Sequence, residues 1–158
     1  MIIIGIDPGL SGAIALYDTN WKTIEVHDMP VVEVMRSGKT KKEISPAEVY
    51  QIIASQPQQI AFAMVERVGA MPGQGVTSVF SFGYSTGVVI GALAACLIPV
   101  TIVTPQAWQK GMAVRGGKDG SRQRAMELWP DQADLFKRVK DNGRSDAALI
   151  AAYGAGVK

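Results

Sequence analysis

The chain has 158 residues, 47% of them apolar and 19% charged, with a formal net charge of +2. That length and balance suit a single domain, 1–158, with one substantial core, and they exclude a disordered or low-complexity chain. The net charge is too small to name a partner, and the lone Cys96 excludes an internal disulfide.

Met1 leads straight into Ile2-Ile3-Ile4 without a basic segment or a cleavage site, so a cytoplasmic protein is expected. Ile2–Asp7 is predicted as a strand that ends in an acid and turns at Pro8-Gly9. Gly12–Tyr17 and Thr23–Val26 follow as two more strands of a meander. Val31–Glu43, rich in Lys and Arg around Gly38, reads as an exposed loop. Ser45-Pro46-Ala47-Glu48 then starts a helix, with Ser as the cap, Pro at the first position and Glu closing a capping box; it should run to about Ser55. Ile60–Val65 is a strand with Glu66 at its end, and the loop Gly69–Gly75 leads to a long helix from Val76 to Leu97. Within it Gly83, Gly87 and Gly91 recur every fourth residue. Glycine costs about 1 kcal/mol per helical position relative to alanine, so the stripe should serve a close backbone approach. The partner is either this chain's own sheet or a helix of a second subunit. The near-apolar run Val88–Val100 holds Gly91 and Pro99, and it is too short to span a bilayer, so no membrane partner is expected. Cys96, inside that run, reads as a small buried hydrophobe. Val100–Val103 is a fifth strand, and Thr104-Pro105 caps a short helix carrying Trp108. A loop at Gly116–Gly120, a helix at Ser121–Trp129 and a final helix at Arg144–Tyr153 complete the chain. The order predicts an α/β protein: a mixed five-stranded sheet flanked by helices on both faces.

Asp7 and Glu66 end strands, while Asp146 and Asp141 stand at and just before the start of the last helix. Singly, each has an ordinary role as a turn residue, an ion-pair partner of Arg67 or a helix-end acid. Together they form the acidic set of a two-metal phosphoryl-transfer site. Two unit charges ~4 Å apart repel by about 4 kcal/mol at an effective dielectric near 20, so gathering three or four demands a cation. Oxygen ligands favour Mg²⁺, with Mn²⁺ able to substitute, and His27 and Cys96 offer no soft ligand set. Such ions activate a water and stabilise a leaving 3′-oxygen at a phosphodiester.

Ile4-Gly5-Ile6-Asp7-Pro8-Gly9 with Ser11-Gly12, then Val65-Glu66, then Asp146-Ala147-Ala148-Leu149-Ile150-Ala151, resembles the RuvC-type Holliday junction resolvases. The run Glu66–Gly75 and Gly117-Lys118-Asp119 are similar to the short versions encoded by bacteriophages and prophages. The resemblance extends over the whole chain in order. It implies a ribonuclease H-like fold, a homodimer with two active sites, Mg²⁺ dependence and paired nicks in four-way DNA junctions. Asp7, Glu66 and Asp146 match the family's carboxylates. The family places its remaining acid or histidine three residues before the last Asp, where this chain has Gly143; Asp141 is the nearest substitute. Lys118 matches a basic residue used near the scissile phosphate. The family's aromatic base wedge, just after the strand-end Glu, is replaced here by Met71 or Val68.

Nine Lys/Arg against five acids lie between Thr104 and Arg144. In this context Lys110, Arg115, Lys118, Arg122 and Arg124 read as a phosphate-contacting surface rather than a merely solvated face. The Arg36–Lys42 loop adds to it, while Trp108 and Trp129 are expected in the core. The homodimer would form through the helix bearing Gly83, Gly87 and Gly91. Two other readings stay open: a related nuclease acting on forks, flaps or RNA–DNA hybrids, and an actin/sugar-kinase-like phosphotransferase. The latter needs two lobes around its nucleotide, and this length has room for one.

Overall fold

A computed structural model describes residues 1–36, 38–69, 73 and 75–157, with Lys118 described by its backbone alone. Among the described residues, seven strands and five α-helices follow one another: β1 (Ile2–Asp7), β2 (Ala13–Asp18), β3 (Thr23–Asp28), β4 (Val31–Arg36), β5 (Lys39–Ile44), α1 (Pro46–Ala54), β6 (Ile60–Glu66), α2 (Val76–Ala95), β7 (Val100–Val103), α3 (Pro105–Gly111), α4 (Gly120–Leu128) and α5 (Asn142–Gly154). The main sheet has the order β3-β2-β1-β6-β7. β1 pairs antiparallel with β2 and parallel with β6, and β7 runs parallel to β6. The expected mixed five-stranded sheet is therefore present.

Both faces of β1 and β2 are buried, which is why their sequences run apolar without alternation. One face carries α5 with Trp108, Met112, Ala125, Trp129 and Phe136; the other carries α1 and α2 through Val49, Ile53, Val89 and Leu93. Trp108 and Trp129 are core residues, as expected. Gly5 sets how closely α5 approaches the sheet: a Cβ there would lie 2.2 Å from the Ala147 carbonyl oxygen and 2.3 Å from the Ala151 nitrogen. The alanines of α5 and the bare Gly5 thus lay the helix directly on β1 and hold Asp146 beside that strand's end.

Two expectations are corrected, and one of two open readings is set aside. Val31–Glu43 is no loop: β4 and β5 form an antiparallel two-stranded sheet of their own, with Gly38 at φ +72° in the turn. Its strands stay mostly exposed, so no clean apolar alternation marks them. The last helix starts at Asn142, after a 3₁₀ turn at Val139–Asp141, which puts Asp146 in its second turn rather than at its start. The glycines of α2 do not pack on the chain's own sheet. Gly83, Gly87 and Gly91 are exposed, and a Cβ at each would meet open space. Cys96, at the C-terminal end of α2, is half-buried against the second core. At 20 residues α2 is also long and apolar enough to cross a membrane, although Ser85, Val89, Ala92 and Leu93 bury one side of it in the protein.

Candidate active site

Parallel pairing of β1 with β6 brings Ile6 opposite Val65, so the residues that follow them, Asp7 and Glu66, leave the sheet side by side. Asp146 joins them from α5, the helix lying on β1. The three are close enough to act on one another's charge. Burial raises the proton affinity of Asp7, opposed by the Gly9 backbone N–H that donates to its Oδ1 at 3.1 Å. Burial pushes Glu66 up to about 7; the Trp108 hydrogen bond opposes this, and the negative charges of Asp7 and Asp146 reinforce it. Asp146 is pushed to about 6, mainly by burial, with a Ser121 hydrogen bond opposing and Asp7 adding to the rise. These are half-buried acids on which no basic side chain among the described residues acts, the opposite of carboxylates paired for stability.

Three groups hold the carboxylates in place. The Trp108 indole N–H donates to Glu66 Oε2 at 2.7 Å, so the core tryptophan also orients an acid. Ser121, in the first turn of α4, reaches Asp146. Gly9 fixes Asp7. The sequence marks none of the three: Trp108 reads as core, Ser121 as a helix start and Gly9 as a turn. Asp7 and Asp146 open onto a cavity of about 630 Å³, whose opposite wall is the inner side of α2 with Thr77, Ser78, Ser81 and Ser85.

Asp141 belongs elsewhere. It is 1% exposed and accepts hydrogen bonds from the Arg138 backbone N–H at 2.8 Å and from the Arg138 guanidinium at 2.9–3.2 Å. Burial raises its proton affinity, but the bonds and charge of Arg138, with Arg144, outweigh burial and hold it below the usual range. It is absent from the charges that act on Glu66 and Asp146. Its expected place as fourth ligand is corrected to that of a cap on the turn before α5. Gly143 cannot carry the missing ligand either, since a Cβ there would stand 2.2 Å from the Ser11 carbonyl oxygen. Asn142 does line the cavity, and its buried Oδ1 has no hydrogen-bond partner among the described residues.

The basic residues divide. Lys110 and Arg115 are exposed. Arg122 is 9% exposed and is committed to the Lys137 carbonyl at 2.9 Å and to Asp119. Arg124 donates to the Met112 carbonyl at 2.9 Å and to Glu127 at 3.2 Å. Both guanidiniums tie α4 to its surroundings, which corrects their expected place on a DNA-contacting surface. Lys118 lies in a 3₁₀ turn, Gly117–Asp119, immediately before the helix whose Ser121 reaches Asp146. Met71 lies outside the described residues.

The donor set suits a hard divalent ion: oxygen atoms only, half-buried, mutually repelling, with the Asn142 amide oxygen close by and unpartnered among the described residues. As the side chains stand, no three His, Cys, Asp or Glu groups among the described residues converge tightly enough to enclose one.

No family model matches the chain. It is 32% identical over 97 residues to the chloroplastic Holliday junction resolvase MOC1 of Chlamydomonas reinhardtii, which covers 60% of this chain and 11% of that protein. The chain thus spans about a tenth of the curated relative's length. Among solved structures, T. thermophilus RuvC in complex with a Holliday junction substrate superposes with a TM-score of 0.67 at 14% identity, covering 99% of this chain and 93% of that one. A second Thermus thermophilus RuvC structure gives a TM-score of 0.58 at 17% identity, covering 99% and 94%. The chain has the RuvC fold, a ribonuclease H-like arrangement.

Proposed function

We propose that this chain is a RuvC-type, Mg²⁺-dependent endonuclease that resolves four-way DNA junctions by paired nicks. One observation carries the reading: on this fold, Asp7, Glu66 and Asp146 stand half-buried near one another, with the charges of Asp7 and Asp146 acting on Glu66 and that of Asp7 on Asp146. Folding such a cluster is unfavourable unless a cation joins it. The similarity to a curated Holliday junction resolvase supports the substrate.

Asp7, Glu66 and Asp146 would hold the metal, with Asn142 the remaining oxygen on the cavity wall. When bound, such ions supply an activated water and stabilise charge on the leaving oxygen. The protein's own part is positional. Gly9, Trp108 and Ser121 restrain the three carboxylates. The hydroxyls of Thr77, Ser78, Ser81 and Ser85 face them across the opening and can donate to the non-bridging oxygens of a phosphate. Lys118 serves the scissile phosphate, and Lys110 and Arg115 anchor the flanking backbone. The wedge role falls to Met71 or Val68.

Assembly follows from α2. Val76 (86%) and the three glycines leave an apolar, closely approachable stripe open to solvent. A second copy meeting it on a two-fold axis covers that stripe and supplies a second active site matched to the symmetry of a four-way junction.

The test is a cleavage panel of four-way junction, Y-fork, flap, duplex and RNA–DNA hybrid, with Mg²⁺, with Mn²⁺ and with chelator. Symmetric nicking of the junction ahead of every other substrate, abolished by chelator, is the expected result. Preference for the fork, flap or hybrid would move the chain to a different nuclease activity, and hydrolysis of ATP with inert DNA would end the nuclease reading.

A further inference from the structure

The β4–β5 hairpin stands apart from the main sheet and carries Arg36, Lys39, Lys41 and Lys42 against Glu33 and Glu43. Glu43 is occupied by Arg36, at 2.9 Å from its Nε. Cross-strand register puts Lys39 opposite Arg36 and Lys41 opposite Val34, so both lysines share the face of that ion pair. Between the hairpin and α2 runs a shallow groove lined by Arg36, Lys41, Lys42 and the paired Glu43 on one side and by Phe80 and Tyr84 on the other. Phe80 is 68% and Tyr84 39% exposed. The groove shares Thr77, Ser81 and Ser85 with the acidic cavity, so the two openings are continuous along one edge of α2.

Lysines are depleted from the cores of protein–protein interfaces, whereas cations alternating with exposed aromatic rings suit a nucleic-acid strand. We propose that this groove is a second DNA-binding surface, which takes the backbone of a strand running on from the cleavage site. Lys39, Lys41 and Lys42 neutralise its phosphates, and Phe80 and Tyr84 stack on a base freed near the branch point. The inference rests on the junction-nuclease reading and adds where the DNA goes once it leaves the acidic site. It commits the hairpin to DNA; a protein partner on the same groove is the rival outcome.

The experiment measures binding of an uncut four-way junction by the full chain carrying Asp7→Asn, as a function of salt, with and without further changes. Lys39→Ala/Lys41→Ala/Lys42→Ala together should weaken binding about ten-fold or more and make the log–log salt slope shallower by about 2–3. Phe80→Ala/Tyr84→Ala should weaken binding by a similar factor while leaving the slope unchanged, because stacking releases no counterions. Circular dichroism and sedimentation accompany both sets. Wild-type affinity and slope in the triple variant would overturn the proposal. So would a triple variant that sediments as a smaller species than its parent, which would make the groove a protein interface. If the parent binds no DNA at all, the nuclease reading falls as well; if it binds and the unsubstituted chain cuts, only the groove assignment fails.

Discussion

Replacing Asp7 by Asn, Glu66 by Gln or Asp146 by Asn removes one charge from a set whose members destabilise one another, and leaves the volume unchanged. Each variant should therefore fold as well as the parent, or better when metal-free, and still bind a junction. Cleavage should drop by more than about 100-fold, since even the outer-shell partners of metal ligands typically cost 10–100-fold. Near wild-type cleavage at millimolar Mg²⁺ would remove that residue from the metal set. Asp141→Asn behaves oppositely. It weakens the bonds to Arg138 and should cost about 1 kcal/mol in chemical denaturation with cleavage preserved. The raised acids also give a signed pH dependence. Asp146 moves from 3.8 to about 6 and Glu66 from 4.5 to about 7, so the folded state holds more protons than the unfolded one across that interval. Stability of the metal-free protein from these groups is fully present below about pH 4 and is lost as pH rises to about 7. Thermal melts in chelator should show that decline, flattened by Glu66→Gln. Added Mg²⁺ should raise the melting temperature at pH 8 and do little at pH 5, where protons occupy the ligands. A metal response at pH 5 equal to that at pH 8 would place the ion elsewhere.

At the scale of elements, α5 and the turn it meets explain why position 143 carries no acid. Gly143 packs against the Ser11 carbonyl and Gly12 at distances that admit no side chain. Gly143→Asp, which restores an acid at that position, should gain no activity and should lose about 1–3 kcal/mol from forced overpacking, measured by urea unfolding. Increased cleavage by a stable Gly143→Asp protein would show that the turn can yield. The same elements mark what the sequence could convey. The order of strands and helices, and the acids at the ends of β1 and β6, are legible because apolar runs stop abruptly at a charge. The β4–β5 hairpin is not, since its cross-strand partners are mostly charged or polar and its faces mostly exposed. Arg122 and Arg124 look like any basic residues on a helix. Their commitment to the carbonyls of Lys137 and Met112 depends on contacts 15 and 12 residues away, which spacing does not encode. Trp108 is legible as core but not as the clamp on Glu66, because the pair is 42 residues apart.

For the whole molecule the decisive feature is the outward stripe of α2. A Cβ at Gly83, Gly87 or Gly91 would meet nothing within 4 Å, so no packing among the described residues accounts for three helix-weakening residues in line. The proposed two-fold axis near Gly87 would, because glycine lets two helices approach backbone to backbone. The structure separates the effect of Gly87→Leu on the fold from its effect on assembly. A Cβ at this position enters open space, and leucine is the better helix former by roughly 0.5–1 kcal/mol. The variant monomer should therefore be as stable as the parent's fold or slightly more so, while leucine side chains on both subunits hold the helices apart. Sedimentation should show wild type as a dimer at micromolar concentration and Gly87→Leu as a monomer. On a four-way junction the variant should leave singly nicked intermediates in place of paired cuts, because each active site still works but no longer in company. A monomeric wild type, or a Gly87→Leu protein that stays dimeric and cuts in pairs, would leave the stripe unexplained and move the dimer contact off α2.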